Sequence, residues 1–171
     1  SVDKGKTWEH LGLTESHHIG KINLHPTDKN IAWVAVLGHL YSPSKERGIY
    51  KTTDGGKTWK QTLFVDENTG AADMDINPTN PAMWYRTRRA WNFEESGKTS
   101  GIYKSTDGGN NWKVVTTAGS GFPAGDGLGR IGLAVFAKSP NIIYATLDNQ
   151  GRRPDTAKKK VDTNYVLKDF K

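Results

Sequence analysis

The 171-residue sequence contains no cysteine. That absence excludes a disulfide scaffold, a thiolate metal site and a cysteine nucleophile, while leaving both the cytosol and an oxidising compartment open. Long apolar runs are also missing, and nothing approaches the roughly 18 residues of a membrane-spanning helix. No stretch of the repeating part of the chain places apolar residues at convincing helical spacing. The opening Ser1-Val2-Asp3-Lys4-Gly5 does not read as a signal peptide, and no initiator methionine precedes it. The overall 35% hydrophobic and 25% charged residues are ordinary for a soluble domain.

The net charge of +6 is unevenly placed. From Gly151 onward, Arg152, Arg153, Lys158, Lys159, Lys160, Lys168 and Lys171 face only Asp155, Asp162 and Asp169, which concentrates most of the excess in the last 21 residues. A nucleic-acid platform needs its basic residues on a folded face with aromatics interleaved. A solvated basic loop or tail is the better reading, and no nucleic-acid partner is expected.

What the sequence does have is an internal repeat. Ser1-Val2-Asp3-Lys4-Gly5-Lys6-Thr7-Trp8 aligns with Thr52-Thr53-Asp54-Gly55-Gly56-Lys57-Thr58-Trp59 and with Ser105-Thr106-Asp107-Gly108-Gly109-Asn110-Asn111-Trp112. The spacings between copies are 51 and 53 residues, for the Asp and the Trp alike. Gly48-Ile49-Tyr50-Lys51 and Gly101-Ile102-Tyr103-Lys104 precede the later two copies. A second landmark recurs once per unit: His25-Pro26-Thr27-Asp28, Asn77-Pro78-Thr79-Asn80 and Phe136-Ala137-Lys138-Ser139-Pro140, each followed by an apolar run. Turn clusters followed by short apolar runs read as strands.

Each unit therefore predicts four short strands, in the best-kept unit over 19–24, 31–37, 48–53 and 58–64. The second is apolar on both faces, so both faces must be covered. Stacked four-stranded sheets repeating every 50 residues or so describe the blades of a propeller. Within the eight-residue motif the glycines accept a positive φ in a tight hairpin, and the Asp side chain can take the turn's own amides. The Ser or Thr two residues earlier adds a hydroxyl, and the Trp ring is a large apolar anchor. Asp3, Trp8, Asp54, Trp59, Asp107 and Trp112 are accordingly read as structural.

The pattern Ser/Thr-x-Asp-x-Gly-x-Thr-Trp resembles the Asp-box, or BNR repeat, of β-propellers such as sialidases, xyloglucanases and sortilin-type domains. With its flanking Gly-Ile-Tyr-Lys and Pro-Thr turns, the chain looks most like bacterial sortilin-like "glycosyl hydrolase" BNR-repeat proteins, over about residues 1–147. The resemblance implies an all-β propeller and an extracellular, cell-envelope or periplasmic location. It does not separate enzymes from binding proteins, because Asp-boxes occur in both. Asn111 departs from the usual Thr.

About two and a half to three four-stranded antiparallel blades are accounted for, whereas closed propellers have about 4–8. The expected organisation is a partial propeller over 1–150, an arc of a larger closed ring, with 151–171 a basic loop or tail leading to the next strand. The rest of the propeller, or other chains, would be needed to close it. Topology puts the short Pro-Thr turns and Asp-boxes on one face and the longer loops on the other. Function on a rigid scaffold tends to sit on such loops.

On that face Arg86, Arg88 and Arg89 end a strand beside Trp91, with Arg130 and Arg47 nearby. Converging guanidiniums bind carboxylates bidentately; the alternative is salt bridges between blades and a solvated edge. The Arg-Ile-Pro signature of sialidases is absent. His39 and Tyr41 come from a neighbouring loop and could join ligand recognition. His17, His18 and His39 lack metal-ligand spacing, so no metal or other cofactor is expected. Glycoside hydrolysis needs two flanking carboxylates, and nothing in the spacing of Glu15, Glu46, Asp66, Glu67, Glu94, Glu95, Asp126 and Asp148 selects a pair; the catalytic residues stay unknown. The expected function is a non-catalytic binding or scaffold propeller recognising a glycan or protein partner. The alternative is part of a glycoside hydrolase, sialidase- or xyloglucanase-like, with catalytic acids partly outside this segment.

Overall fold

A computed structural model describes residues 1–77, 99–123 and 128–149, and the main chain alone for 83–89, Arg130 and Asn149. Among the described residues ten strands run in order: β1 (Ile19–Leu24), β2 (Ala32–Val36), β3 (Gly48–Thr52), β4 (Lys60–Leu63), β5 (Thr69–Ile76), β6 (Met83–Arg89), β7 (Ile102–Ser105), β8 (Lys113–Val114), β9 (Leu128–Val135) and β10 (Ile143–Asn149). One short 3₁₀ turn, Thr14–Ser16, precedes them. They form two four-stranded sheets, β1-β2-β3-β4 and β5-β6-β7-β8, and the pair β9-β10, all antiparallel. These are propeller blades, each built from consecutive hairpins. The basic segment 151–171 lies outside the described residues.

The blades stack through their first strands, β1 against β5 and β5 against β9. The reason is visible in β2, where Ala-Trp-Val-Ala-Val is buried at every position. On one face Trp33, Ala35 and Ile49 pack with Ala71 and Met74 of the second blade. On the other, Val34, Val36 and Tyr50 pack with Leu13 and Trp59. A third cluster, Ile102, Ile131 and Leu133, joins the second blade to the third. β-branched and aromatic side chains suit a pleated surface covered from both sides.

Both innermost strands of the complete sheets carry a bulge at the same place, between Ile19 and Lys21 in β1 and between Ala71 and Asp73 in β5. The extra residue increases local twist and brings neighbouring main chains close. A Cβ on Gly20 would sit 2.6 Å from the Ala72 carbonyl oxygen, so this crossing admits only glycine.

Polar contacts stitch the blades together as well. Asn23 Nδ2 donates to the Met74 carbonyl at 3.0 Å, and Lys21 Nζ lies 3.1 Å from Asp73 Oδ1. Trp33 Nε1 donates to the Gly108 carbonyl at 3.0 Å. Trp59 Nε1 reaches back to the Leu11 carbonyl (2.6 Å), and Trp112 Nε1 reaches back to Thr62 Oγ1 (3.3 Å). The repeated tryptophan thus links its own blade backward, Trp112 to the outer strand β4 of the blade before it and Trp59 to the segment that precedes the first blade. Trp8 is 81% exposed.

Candidate functional site

The hairpin order assigns loops to two faces. One holds the β1–β2 and β3–β4 turns, and the other holds the β2–β3 loop and the connections between blades.

On the first face, three turns share one wiring. Asp54 Oδ1 accepts the Thr58 amide (2.9 Å), its Oδ2 accepts the Thr58 hydroxyl (2.6 Å), and Thr52 Oγ1 donates to Oδ1 (2.7 Å) while accepting the Gly56 amide (2.9 Å). Asp3 repeats this with Thr7 and Ser1. Asp107 repeats it with Ser105 and with Asn111, whose Nδ2 donates at 2.7 Å where the other copies offer a hydroxyl. The turn needs two successive positive φ values, at Gly55 and Gly56 (75° and 89°) and at Gly108 and Gly109 (69° and 78°). In the first copy Lys4 takes the first of these at φ 63°, a conformation a side chain disfavours. Asp54 is held down at about 2 from an ordinary 3.8, chiefly by the Thr58 hydroxyl and amide, and Asp3 likewise by Thr7. Asp107 is lowered too, chiefly by the Asn111 amide.

The second face is organised around one residue. Arg47, 1% exposed, lies inside the loop that runs from Gly38. Its Nε donates to the Glu67 carbonyl (2.6 Å), Nη1 to that of Leu37, and Nη2 to those of His39 and Ser42, the last at 2.9 Å. A buried irregular loop must find donors for its carbonyls, and the guanidinium supplies them from a single centre. The Ser44 amide adds a bond to Glu67 O at 2.9 Å, tying this loop to the connection between the first two blades. That connection is closed by Asp66, whose carboxylate accepts the Asn68 amide (2.7 Å) and the Thr69 hydroxyl (3.1 Å). Burial pushes Asp66 upward, but its hydrogen bonds, that from Thr99 foremost, leave it below the ordinary carboxylate value. Glu46 accepts the Tyr50 hydroxyl at 2.9 Å; burial first, then this bond and the nearby charge, push the phenol upward.

Arg47 is thus corrected from a member of an open arginine cluster to an internal strut, because its donors are consumed by carbonyls. Arg86, Arg88 and Arg89 stand in β6 opposite Asp73, Gly70 and Thr69, and Arg130 lies in β9; their side chains, like Trp91 as a whole, lie outside the described residues. His39 is half-buried and stacks on His17, ring centroids 3.6 Å apart and tilted 37°, while His18 Nδ1 lies 3.1 Å from the Gly38 carbonyl. Tyr41, on the same loop, is 70% exposed. Among the described residues no group of three or more His, Asp or Glu side chains is arranged to hold a metal ion. No described helix is long and apolar enough to cross a membrane.

A family model described as "Sortilin, neurotensin receptor 3" matches residues 1–170. The chain belongs to the Sortilin-Vps10 family. Among solved structures, the Sortilin-Vps10 chain is similar to the GH74 enzyme of Niastella koreensis, with 20% identity, a TM-score of 0.53 and coverage of 73% of this chain and 17% of that one. It is also similar to the GH74 xyloglucanase of Xanthomonas campestris, with 15% identity, a TM-score of 0.56 and coverage of 75% and 18%. At such identities the likeness is one of fold. The chain spans under a fifth of the length of either. No curated protein matches it significantly.

Sequence reasoning passed over Asp73 and Asp75. Asp73 Oδ2 accepts the Leu133 amide (3.4 Å) and Asp75 Oδ2 the Val135 amide (2.8 Å), both across the junction to the third blade. Two acids alternating along an innermost strand were the available signal.

Proposed function

We propose that this Sortilin-Vps10 chain is a binding segment of a larger exported protein and that its long-loop face recognises a glycan or a protein partner without catalysing a reaction. The observation that supports this is Arg47. One buried guanidinium fixes two irregular loops in a single shape, while Tyr41 projects from them. A preorganised loop carrying an exposed aromatic lowers the ordering cost of binding, and aromatic anchors supply much of the affinity in recognition surfaces. His39, Tyr41, Arg86, Arg88, Arg89, Trp91 and Arg130 are the residues proposed to meet the ligand, in a propeller segment covering 1–150. One acid of this face, Asp66, closes a loop and is held below the ordinary carboxylate value by its hydrogen bonds. A glycosidase acid has to be protonated at working pH, so Asp66 does not suit that role.

Binding of the protein at its natural length to immobilised glycans and envelope or secreted proteins tests this. Tyr41→Ala should weaken binding about tenfold. Full binding by both Tyr41→Ala and an Arg88→Ala/Arg89→Ala variant would remove the reading. Release of new reducing ends from a bound glycan would establish the hydrolase instead.

A further inference from the structure

Each complete blade brackets its Asp turn with two lysines. Lys51 precedes Thr52 and Lys60 follows Trp59; Lys104 precedes Ser105 and Lys113 follows Trp112. The register sets them directly opposite, Lys51 with Lys60 across β3 and β4 and Lys104 with Lys113 across β7 and β8. Like charges in that position destabilise an antiparallel pair. Burial holds the Lys51 ammonium below its ordinary value, with Asp107 opposing the fall and Lys60 adding to it. The hairpin does not require these charges, because Glu9 follows Trp8 where Lys60 and Lys113 follow the later tryptophans.

The acids of this face are turned to their own turns. Asp54 and Asp107 take turn donors as described above, and Asp28 Oδ1 accepts the Asn30 amide at 2.9 Å. Lys29, Lys57, Lys60 and Lys113 are exposed. Among the described residues the long-loop face has the opposite balance, with Glu15, Glu46, Asp66 and Glu67 against Lys45 and the buried Arg47. The two lysine pairs form one stripe across the blade junction. Lys51 Nζ lies 5.8 Å from the centre of the Trp33 ring and donates to Asn110 Oδ1 at 3.0 Å, and Asn110 is three residues before Lys113. Rings beside the stripe offer no open face. Trp33 is 1% exposed, and Trp59 and Trp112 are half-buried with their indole N–H groups engaged. Single-stranded nucleic acid needs open aromatic faces for its bases to stack on.

We infer that the Asp-turn side carries a second binding site, in which Lys60, Lys51, Lys113 and Lys104 hold a linear acidic polysaccharide laid across two blades. An ammonium group is a point charge that takes an anionic oxygen without demanding bidentate geometry, which suits sulfates or carboxylates along a flexible chain. Packed sheets stand about 10 Å apart, so a chain that meets both pairs has to be several sugars long. This site lies away from the long loops and does not rest on their reading as a binding face.

Calorimetric titration of the protein at its natural length with heparin tests the inference. Lys60→Gln/Lys113→Gln removes one exposed member of each pair. It should weaken binding at least about tenfold and lower the slope of log affinity against log salt by about two. The melting temperature should not fall, since a repulsion is lost. Lys60→Arg/Lys113→Arg should bind as the unaltered chain does, and Lys45→Gln, on the other face, should change neither affinity nor slope. A heparin disaccharide should bind far more weakly than the long polymer. Undiminished binding by the Gln double variant, which would put the affinity in the basic segment 151–171, would overturn the inference. So would an equal loss with Lys45→Gln, or tighter binding at the same salt to oligothymidylate or to phosphatidylserine vesicles.

Discussion

The two faces of this arc solve one problem, the unpaired main chain of a loop, by opposite means. On the short-turn face an acid two residues past a hydroxyl gathers the amides of its own turn, and it does so at Asp3, Asp54 and Asp107. Every partner is within four residues. On the long-loop face a single arginine gathers carbonyls from Leu37, His39, Ser42 and Glu67, the last 20 residues away along the chain. A local solution can be copied from blade to blade. A non-local one is specific to the loop it holds, and that lets one face vary while the other stays constant.

Arg47→Met breaks the comparison most severely. It keeps much of the side-chain volume but leaves buried carbonyls without donors, and each such group costs about 1–3 kcal/mol where water cannot replace the bond. With partial relaxation the expected loss is roughly 2–4 kcal/mol in urea unfolding. Protease sensitivity should rise in residues 38–47 and stay unchanged at the three Asp turns. A loss comparable to that of an ordinary surface substitution would show that the loop holds its shape without the strut.

The Asp turns are more exposed, so a substitution there costs less, and their signature is pH. Asp3 and Asp54 sit at about 2 in the folded chain against 3.8 in the reference state. A carboxylate held lower in the folded state adds stability above the unfolded value and loses it as pH falls through the folded one. The melting temperature should therefore fall steadily between about pH 5 and pH 2. Asp54→Asn should lower it by a few degrees at neutral pH and flatten the acid limb. An acid limb that survives intact in an Asp3→Asn/Asp54→Asn/Asp107→Asn chain would assign the pH dependence elsewhere, for example to Asp66, which its hydrogen bonds also lower.

The same distinction governs what could be read before any coordinates. The period of the Asp and Trp residues and the apolar β2 sequence yielded blades, because hairpin chemistry is written within eight consecutive residues. Strand β1 occupies the residues expected of it, and β2 and β4 are shorter by a residue or two at their ends. Arg47 was legible only as a charge beside other charges. Nothing near it in sequence says that Glu67 O will lie 2.6 Å from its Nε, since that depends on how two blades stack. Asp73 and Asp75 were hidden for the same reason: their partners, Leu133 and Val135, are 60 residues away.

The smallest expected effect sharpens the local side of the comparison. Asn111 stands where the other copies have Thr7 and Thr58. Its amide nitrogen donates to Asp107 Oδ2 at 2.7 Å, as the hydroxyls of those threonines do to Asp3 and Asp54 at 2.7 and 2.6 Å. The turn therefore requires one donor at that distance and is indifferent to whether nitrogen or oxygen carries it. Asn111→Thr should leave stability within about 0.5 kcal/mol, and Thr58→Asn should do the same in the neighbouring blade. Thr58→Val, which keeps the shape and removes the donor, should lower the melting temperature measurably. If Val and Asn prove equivalent at position 58, the side-chain bond contributes nothing, and the turns rest on their main-chain bonds and glycines alone.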